Sequence, residues 1–297
     1  GYALYHWNGA AWSSTDTSLT MGISDTGADD IWWTGGLSST LMHYDGESWT
    51  AADTTDLGDV TLRDVFAAGS GVVYVTDYDG GVWRYSGEEW TRELDVDDSV
   101  YFSLAGNAAG GVVAWFSGGP IYSRGSDGIW DLVSADSGCK NVSGISDDGA
   151  GDAWAVCSAN TTALGSNVLH WNGSDFDIDH RELSSLNAIR VWGPDDIVVG
   201  GTSVGGYGFM SRFDGSSWTA DTDVPYAVYA LFGETSDDLY AGTQYGVQHS
   251  FAGEWATALN WSDIGTSPRA LELPTGEIAV AGNNGLAAFD GSSWASE

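Results

Sequence analysis

A short phrase recurs eight times along the 297 residues of this chain. Each copy combines an apolar strand, an Asp-Gly or Asn-Gly step or a close variant, and then a Trp or Phe. The anchoring aromatic residues are Trp12, Trp49, Trp90, Trp130, Phe176, Trp218, Trp255 and Trp294. Their spacings are 37, 41, 40, 46, 42, 37 and 39 residues, and such a period is typical of a repeat architecture.

Each repeat is composed of strand signals. Asp-Gly and Asn-Gly between apolar runs are typical of tight hairpin turns, because the central residues of such turns need positive φ. Upstream of each hairpin lie two more short runs rich in β-branched and aromatic residues, as in Leu62–Phe66 and Gly71–Gly80. Each period therefore holds about four short strands, and no stretch has the length and caps of a helix.

Four strands in each period predict a β-propeller. The pattern resembles the repeats of secreted bacterial β-propellers of the kelch-like and Asp-box (BNR-like) groups, in segments such as PDDIVVGG and RFDGSSW. The resemblance covers nearly the whole chain. The fold class we predict is all-β, a seven-bladed β-propeller of four-stranded antiparallel blades in a single domain, 1–297.

The number of hairpins exceeds the number of inner strand pairs. Seven inner pairs can be assigned against eight hairpins, so one hairpin is surplus. We predict that N-terminal strands at about 2–16 close the ring with the C-terminal blade 269–297. The alternatives are an eighth, incomplete blade, or self-assembly in which the surplus hairpin pairs with a neighbouring subunit.

The charge balance excludes several partners. There are 42 acidic residues against 9 basic ones, a formal net charge of −33, which disfavours nucleic acids and anionic membranes. No apolar run is long enough to cross a bilayer, so we predict no direct membrane insertion. We predict no cofactor. Two explanations of the acidity stay open, a solvated surface and at least one bound Ca²⁺, for which Asp-rich loops supply oxygen ligands.

Two features point to export. The cysteines, Cys139 and Cys157, flank the inner strands of one predicted blade and are expected to form a disulfide. Four Asn-X-Ser/Thr acceptor motifs for glycosylation lie at Asn141, Asn160, Asn172 and Asn260. We therefore predict a secreted, extracellular or cell-surface protein.

Three arginines form one candidate site. Arg63, Arg190 and Arg269 occupy corresponding positions on predicted innermost strands, where they would converge on an anion. Sialidases are also propellers with Asp-box turns, and they bind a substrate carboxylate with three arginines. However, no turn here carries the full S-x-D-x-G-x-T-W phrase and no Tyr–Glu nucleophile pair can be assigned. The alternative is that each arginine pairs with an aspartate between blades.

Aromatic residues form the other candidate site. Five of them fall at or just before the turn after the second strand, where one propeller face would display them to a sugar: Trp33, Tyr78, Trp115, Tyr207 and Tyr245. The alternative is packing in the core at the strand ends.

The recurrent His and Arg that precede the hairpin turns, among them His43 and His170, obey the repeat and are assigned to blade packing. No serine-hydrolase or zinc-protease motif is present. The predicted function is a non-catalytic extracellular binding or assembly module, which recognises carbohydrate or another surface protein. The alternatives are a structural subunit of a surface or filamentous assembly and a sialidase-like glycoside hydrolase.

Overall fold

The computed structural model describes residues 2–7, 12–17, 20–27, 29–35, 39–69, 71–96, 102–106, 111–116, 120–134, 138–147, 153–159, 165–172, 175–221, 223–251, 253–260, 262, 269–272, 278–281, 286–289 and 293–296. The chain divides into two compact units, Gly1–Asp136 and Ser137–Glu297.

The first unit contains a two-stranded hairpin and three four-stranded sheets. The hairpin is β1 (Tyr2–Trp7) and β2 (Trp12–Thr17). Sheet 1 is β3 (Thr20–Gly27), β4 (Asp30–Gly35), β5 (Thr40–Tyr44) and β6 (Trp49–Ala51). A 3₁₀ turn, Thr55–Leu57, precedes sheet 2, which is β7 (Leu62–Gly69), β8 (Val72–Asp77), β9 (Gly81–Tyr85) and β10 (Trp90–Asp95). Sheet 3 is β11 (Phe102–Gly106), β12 (Val112–Phe116), β13 (Ile121–Arg124) and β14 (Trp130–Ser134).

The second unit contains four four-stranded sheets. Sheet 4 is β15 (Cys139–Asp147), β16 (Ala153–Ala159), β17 (Ser166–Trp171) and β18 (Phe176–Glu182). Sheet 5 is β19 (Ser185–Gly193), β20 (Asp196–Thr202), β21 (Gly208–Phe213) and β22 (Trp218–Asp221). Sheet 6 is β23 (Val228–Thr235), β24 (Asp238–Thr243), β25 (Gly246–Phe251) and β26 (Glu254–Asn260). Sheet 7 is β27 (Arg269–Glu272), β28 (Ile278–Ala281), β29 (Leu286–Phe289) and β30 (Trp294–Ser296).

All seven four-stranded sheets are antiparallel meanders whose strand order follows the chain. The predicted all-β architecture of four-stranded antiparallel sheets is confirmed. The surplus hairpin pairs within itself, from Tyr2 with Thr17 to Trp7 with Trp12, and sheet 7 contains its own fourth strand, β30. Ring closure between 2–16 and 269–297, like the single domain, stays a prediction.

The Asp-Gly steps open longer connections than the tight two-residue turn that the sequence predicts. Tyr44 pairs with Trp49, so four residues connect β5 to β6. The carboxylate of Asp45 accepts the backbone N–H groups of Glu47 and Ser48 at 2.9 and 2.8 Å, and Gly46 has φ of 90°. The aspartate thus organises the connection through its side chain, and only the glycine supplies the left-handed conformation.

Consecutive sheets within each unit pack through stacked rings. Trp32 stacks on His43, Trp154 on His170 and Tyr240 on His249, with centroids 4.0, 4.0 and 4.2 Å apart. Each pair then meets an aromatic ring of the next sheet: Trp32 meets Tyr85 at 6.5 Å, Trp154 meets Trp218 at 6.2 Å and Tyr240 meets Trp294 at 6.0 Å. These contacts confirm the packing role predicted for His43 and His170.

Acidic residues at the sheet ends hold the stacked histidines. His43 Nε2 lies 2.8 Å from Asp30 Oδ1, which also accepts the indole N–H of Trp32 at 2.7 Å. Partial burial opposes the ionisation of Asp30, but hydrogen bonds from Thr26, His43 and Trp32 outweigh it and lower its pKa. His249 and Asp238 repeat the contact at 2.6 Å. These aspartates therefore serve the scaffold.

Polar side chains connect the first strands of neighbouring sheets. Ser24 accepts the N–H of Ala67, and Ser146 accepts the N–H of Val191. In sheet 2, Asp64, which lies at a different position of the first strand, accepts the N–H groups of Val65 and Leu104, both at 2.9 Å. Burial raises the pKa of Asp64, and this effect outweighs the hydrogen bonds, which lower the pKa. Backbone N–H groups that face the next sheet are thereby satisfied without a shared β-ladder.

Candidate functional site

Two of the five predicted aromatic residues are displayed on the second unit. Tyr207 and Tyr245 are 72% and 47% exposed. They lie in corresponding turns, between the second and third strands of sheets 5 and 6. Because the strands alternate in direction, these turns share an edge with the connections that leave each fourth strand.

The turn that carries Tyr207 is closed by its own hydrogen bonds. Ser203 N–H donates to the Tyr207 carbonyl at 2.9 Å, and Gly206 N–H donates to the Ser203 carbonyl at 2.9 Å. Ser203 Oγ accepts the N–H of Tyr207 at 3.1 Å. Gly206 has φ of 83°, which an L side chain rarely adopts. The exposed ring is therefore presented by an ordered backbone.

The connection from β22 to β23 packs against both turns. Tyr226, on the connection from β22 to β23, contacts the ring of Tyr245 with centroids 4.6 Å apart. The same connection packs on Gly208, where a Cβ would collide with the carbonyl oxygens of Val224 and Tyr226. We call Tyr207, Tyr226 and Tyr245 the tyrosine rim. Leu183 and Val204, 72% and 74% exposed, lie at the same edge.

The opposite edge of sheet 5 includes an acidic turn. Asp214 accepts the N–H groups of Ser216 and Ser217 at 2.9 and 2.8 Å. Hydrogen bonds from the side chain and backbone of Ser216 and from the backbone of Ser217 lower the pKa of Asp214 to about 2. The opposite edge thus combines an ionised turn carboxylate in sheet 5 with the exposed ring of Phe251 in sheet 6.

Two predicted aromatic residues are not displayed. Trp33 and Trp115 are only 4% and 3% exposed, so the prediction that one face presents them is wrong. Trp33 folds over Gly35 of its own strand, where a Cβ would collide with its ring. Both lie inside second strands, β4 and β12, whereas the exposed tyrosines lie in the turns. The alternative of core packing holds for these two.

Tyr78 and Arg63 contact each other in the first unit. Arg63 Nη1 donates to the hydroxyl of Tyr78 at 2.7 Å, and its guanidinium carbon lies 5.1 Å from the centroid of that ring. Arg190 in the second unit makes a similar contact, 5.7 Å from the centroid of Trp192. Arg269 begins the corresponding strand, β27.

All three arginines are on first strands, as predicted, but the prediction of corresponding positions is wrong for Arg63 and Arg190, because the residue of sheet 2 that matches Arg190 in register is Phe66. Convergence of the three on one anion stays a prediction.

The predicted disulfide is present. Cys139 and Cys157 are bonded across β15 and β16, with Cα atoms 5.5 Å apart, and both are buried. Asn141 lies in β15, Asn172 follows β17 and Asn260 ends β26, whereas Asn160 falls outside the described residues. Glycosylation at these asparagines stays a prediction.

Among the residues that the structure describes, no group of three or more His, Cys, Asp or Glu side chains is arranged to hold a metal ion. The same residues include no helix with the length and hydrophobicity to cross a bilayer. Calcium stays a prediction.

Tyr226 is the site residue that sequence reasoning missed. It belongs to no hairpin phrase. A signal was available, since the segment Val224–Tyr226 contains Pro225 and follows a fourth strand, which places it at the edge that carries the second turns.

No family model matches the sequence, and no curated protein is significantly similar to it. Solved structures do match the fold. Virginiamycin B lyase from Staphylococcus aureus has a TM-score of 0.64 at 15% identity, over 94% of each chain. YCF48 bound to D1 peptide has a TM-score of 0.57 at 19% identity, over 80% of this chain and 82% of that one.

A glycosidase belongs to the same set of structural neighbours. The GH74 xyloglucanase from Xanthomonas campestris has a TM-score of 0.58 at 12% identity, over 88% of this chain and 50% of that one. These neighbours are β-propellers that include a lyase, a peptide-bound protein and a glycosidase. At such identities the likeness concerns the fold alone. The chain therefore has a β-propeller fold of four-stranded antiparallel sheets.

Proposed function

We propose that this protein is a non-catalytic, exported binding module that recognises a neutral glycan through the tyrosine rim. The observation that carries the proposal is the display of Tyr207 and Tyr245 at one edge of adjacent sheets, with Tyr226 in contact with the ring of Tyr245. Aromatic rings stack on the apolar faces of sugars, and tyrosine hydroxyls exchange hydrogen bonds with sugar hydroxyls.

The negative charge of the protein favours an uncharged ligand. A formal charge of −33 repels sialylated, sulfated or uronic sugars at long range, whereas it does not repel a neutral saccharide. Export is supported by the buried disulfide, which is typical of oxidising compartments. Among the structural neighbours, the xyloglucanase is named for a glycan substrate.

The test is a glycan array probed with the wild-type protein and a Tyr207→Ala/Tyr245→Ala variant, with Ca²⁺ and with a chelator. We expect neutral oligosaccharides to bind the wild type and to lose at least about tenfold in affinity in the double variant, which corresponds to about 1.4 kcal/mol.

The matched control is Phe251→Ala. Phe251 is 63% exposed and ends β25, the strand that Tyr245 immediately precedes, so it is an exposed aromatic residue at the opposite edge of the same sheet. Its removal should leave binding unchanged. An array without neutral-glycan binding, or equal losses in both variants, would contradict the proposal.

A further inference from the structure

A cavity of about 170 Å³ lies between sheets 1 and 2 of the first unit. Its walls are mostly aromatic. The lining residues are Trp32, His43, Thr50, Ala52, Asp53, Tyr85 and Trp90. Trp90 donates its indole N–H to the carbonyl of Asp53 at 2.9 Å, so the polar atom of that ring is satisfied by the wall itself.

At the next junction, between sheets 2 and 3, side chains fill the corresponding space. The strand registers show which residues of the two junctions are equivalent. Trp32 pairs with His43 as Tyr74 pairs with Arg84, and Tyr85 pairs with Trp90 as Arg124 pairs with Trp130. Arg124 thus takes the position of Tyr85, and Tyr74 takes that of Trp32.

At this second junction the guanidinium of Arg124 occupies the space beside the aromatic rings. The guanidinium carbon of Arg124 lies 5.6 Å from the centroid of Tyr74. Its Nε and Nη2 donate to the two carboxylate oxygens of Glu93 at 2.6 and 2.9 Å. Glu93 is the bulged residue of β10, and Ala52 is in the corresponding position after β6. The first junction therefore has a neutral ring and a methyl group where the second has an ion pair.

We propose that the cavity between sheets 1 and 2 binds a small organic ammonium ion of about the size of choline. The Trp and Tyr rings that line this cavity form the kind of cage that attracts quaternary ammonium groups. Cavities of about 150 Å³ accommodate a molecule the size of benzene, so this volume admits a choline-sized cation.

An ionised carboxylate adds to the attraction. Asp53 lines the cavity and accepts the N–H and the hydroxyl of Thr55 at 3.0 and 2.6 Å. These hydrogen bonds lower the pKa of Asp53, which keeps it charged at neutral pH. The net charge of −33 attracts cations at long range in addition. This site is independent of the tyrosine rim, which belongs to the other unit.

The experiment compares choline with its neutral isostere, 3,3-dimethylbutan-1-ol, by calorimetric titration of the full chain and by tryptophan fluorescence. Choline should bind saturably and at least about tenfold more tightly than the isostere, because only the cation gains from the ring faces and the carboxylate. Equal affinities would show an apolar pocket, and the absence of saturable choline binding at millimolar concentration would show no site. Either result overturns the proposal.

Two substitutions locate the binding. Ala52→Leu fills the cavity, and Tyr85→Arg places a guanidinium where Arg124 lies in the next junction; each should weaken choline binding at least about tenfold. The matched control is Ala258→Leu in sheet 6, because Ala258 lies three residues after Trp255 as Ala52 lies three residues after Trp49. Unchanged choline binding in a folded Ala52→Leu or Tyr85→Arg protein contradicts the assigned location. Should neither variant fold, the choline–isostere comparison on the wild type decides.

Discussion

The two sheet junctions of the first unit have the same backbone plan and opposite chemistry. Between sheets 1 and 2, Trp32, Tyr85 and Trp90 line a cavity beside Ala52. Between sheets 2 and 3, the corresponding space is filled by Arg124 and Glu93, and Trp130 donates its indole N–H to Glu93 at 3.1 Å. The framework of aromatic rings is thus compatible with either filling.

An acidic bulged residue recurs on the fourth strand of sheet 4. It is Asp179, whose carboxylate accepts the indole N–H of Trp218 at 2.8 Å. In sheets 2 and 4 the bulged residue is thus acidic and accepts the indole N–H of the next sheet's tryptophan, whereas in sheet 6 the bulged residue is Ala258. A bulge re-aims one side chain and shifts the pairing register locally. A carboxylate at this position therefore adds a polar contact between neighbouring sheets.

The largest effect should come from removal of the carboxylate between sheets 2 and 3. Glu93→Ala leaves the guanidinium of Arg124, whose side chain is 17% exposed, without its bidentate partner. We expect a loss of about 3–5 kcal/mol in the free energy of unfolding, the usual cost of breaking a buried pair from one side. Urea unfolding measures it. Glu89→Ala, at an exposed turn position of the same hairpin, should change stability by less than about 0.5 kcal/mol.

The contribution of Glu93 should depend on pH. Partial burial opposes its ionisation, but hydrogen bonds from Arg124 and Trp130 outweigh it and lower its pKa. A lowered pKa in the folded state gives stability that is complete above the unfolded pKa and is lost as the pH falls through the folded value. The stability difference between wild type and Glu93→Ala should be constant from about pH 7 to pH 5 and shrink below about pH 4. A difference that grows on acidification would contradict this assignment.

A smaller effect is expected at the exposed acidic bulge of the second unit. Asp179→Ala removes the acceptor of the Trp218 indole, which should cost about 1 kcal/mol. Asp179→Asn retains an acceptor oxygen and should lie within about 0.5 kcal/mol of the wild type by the same unfolding measurement. If asparagine were as destabilising as alanine, the hydrogen bond would not be the cause.

Much of the fold was predictable because it repeats. Eight copies of one phrase made the prediction of strands more secure than a single copy would, because each copy supports the same assignment. The disulfide followed from two cysteines on adjacent strands. The geometry of the Asp-Gly connections was not predictable from the dipeptide, because the carboxylate of Asp45 stabilises a longer turn than Asp-Gly alone suggests. The bulges were hidden as well, since Glu93 and Asp179 read as ordinary strand residues.

The candidate site was predictable only in part. Position in the repeat correctly marked Tyr207 and Tyr245, which sit in turns beside glycines, but it also marked Trp33 and Trp115. Whether a ring at a strand end turns outward depends on whether a neighbouring residue leaves space for the ring to pack against the sheet. Gly35 leaves room for Trp33 on its own strand, a through-space contact that periodicity does not encode.

The most direct test of the central claim is an isothermal titration of one neutral oligosaccharide, selected on the array, into three proteins. Wild type and Phe251→Ala should bind with equal dissociation constants. Tyr207→Ala/Tyr245→Ala should bind at least about tenfold more weakly with an unchanged unfolding midpoint. Equal dissociation constants in all three proteins would place the glycan elsewhere and contradict the assignment of the tyrosine rim as the binding face.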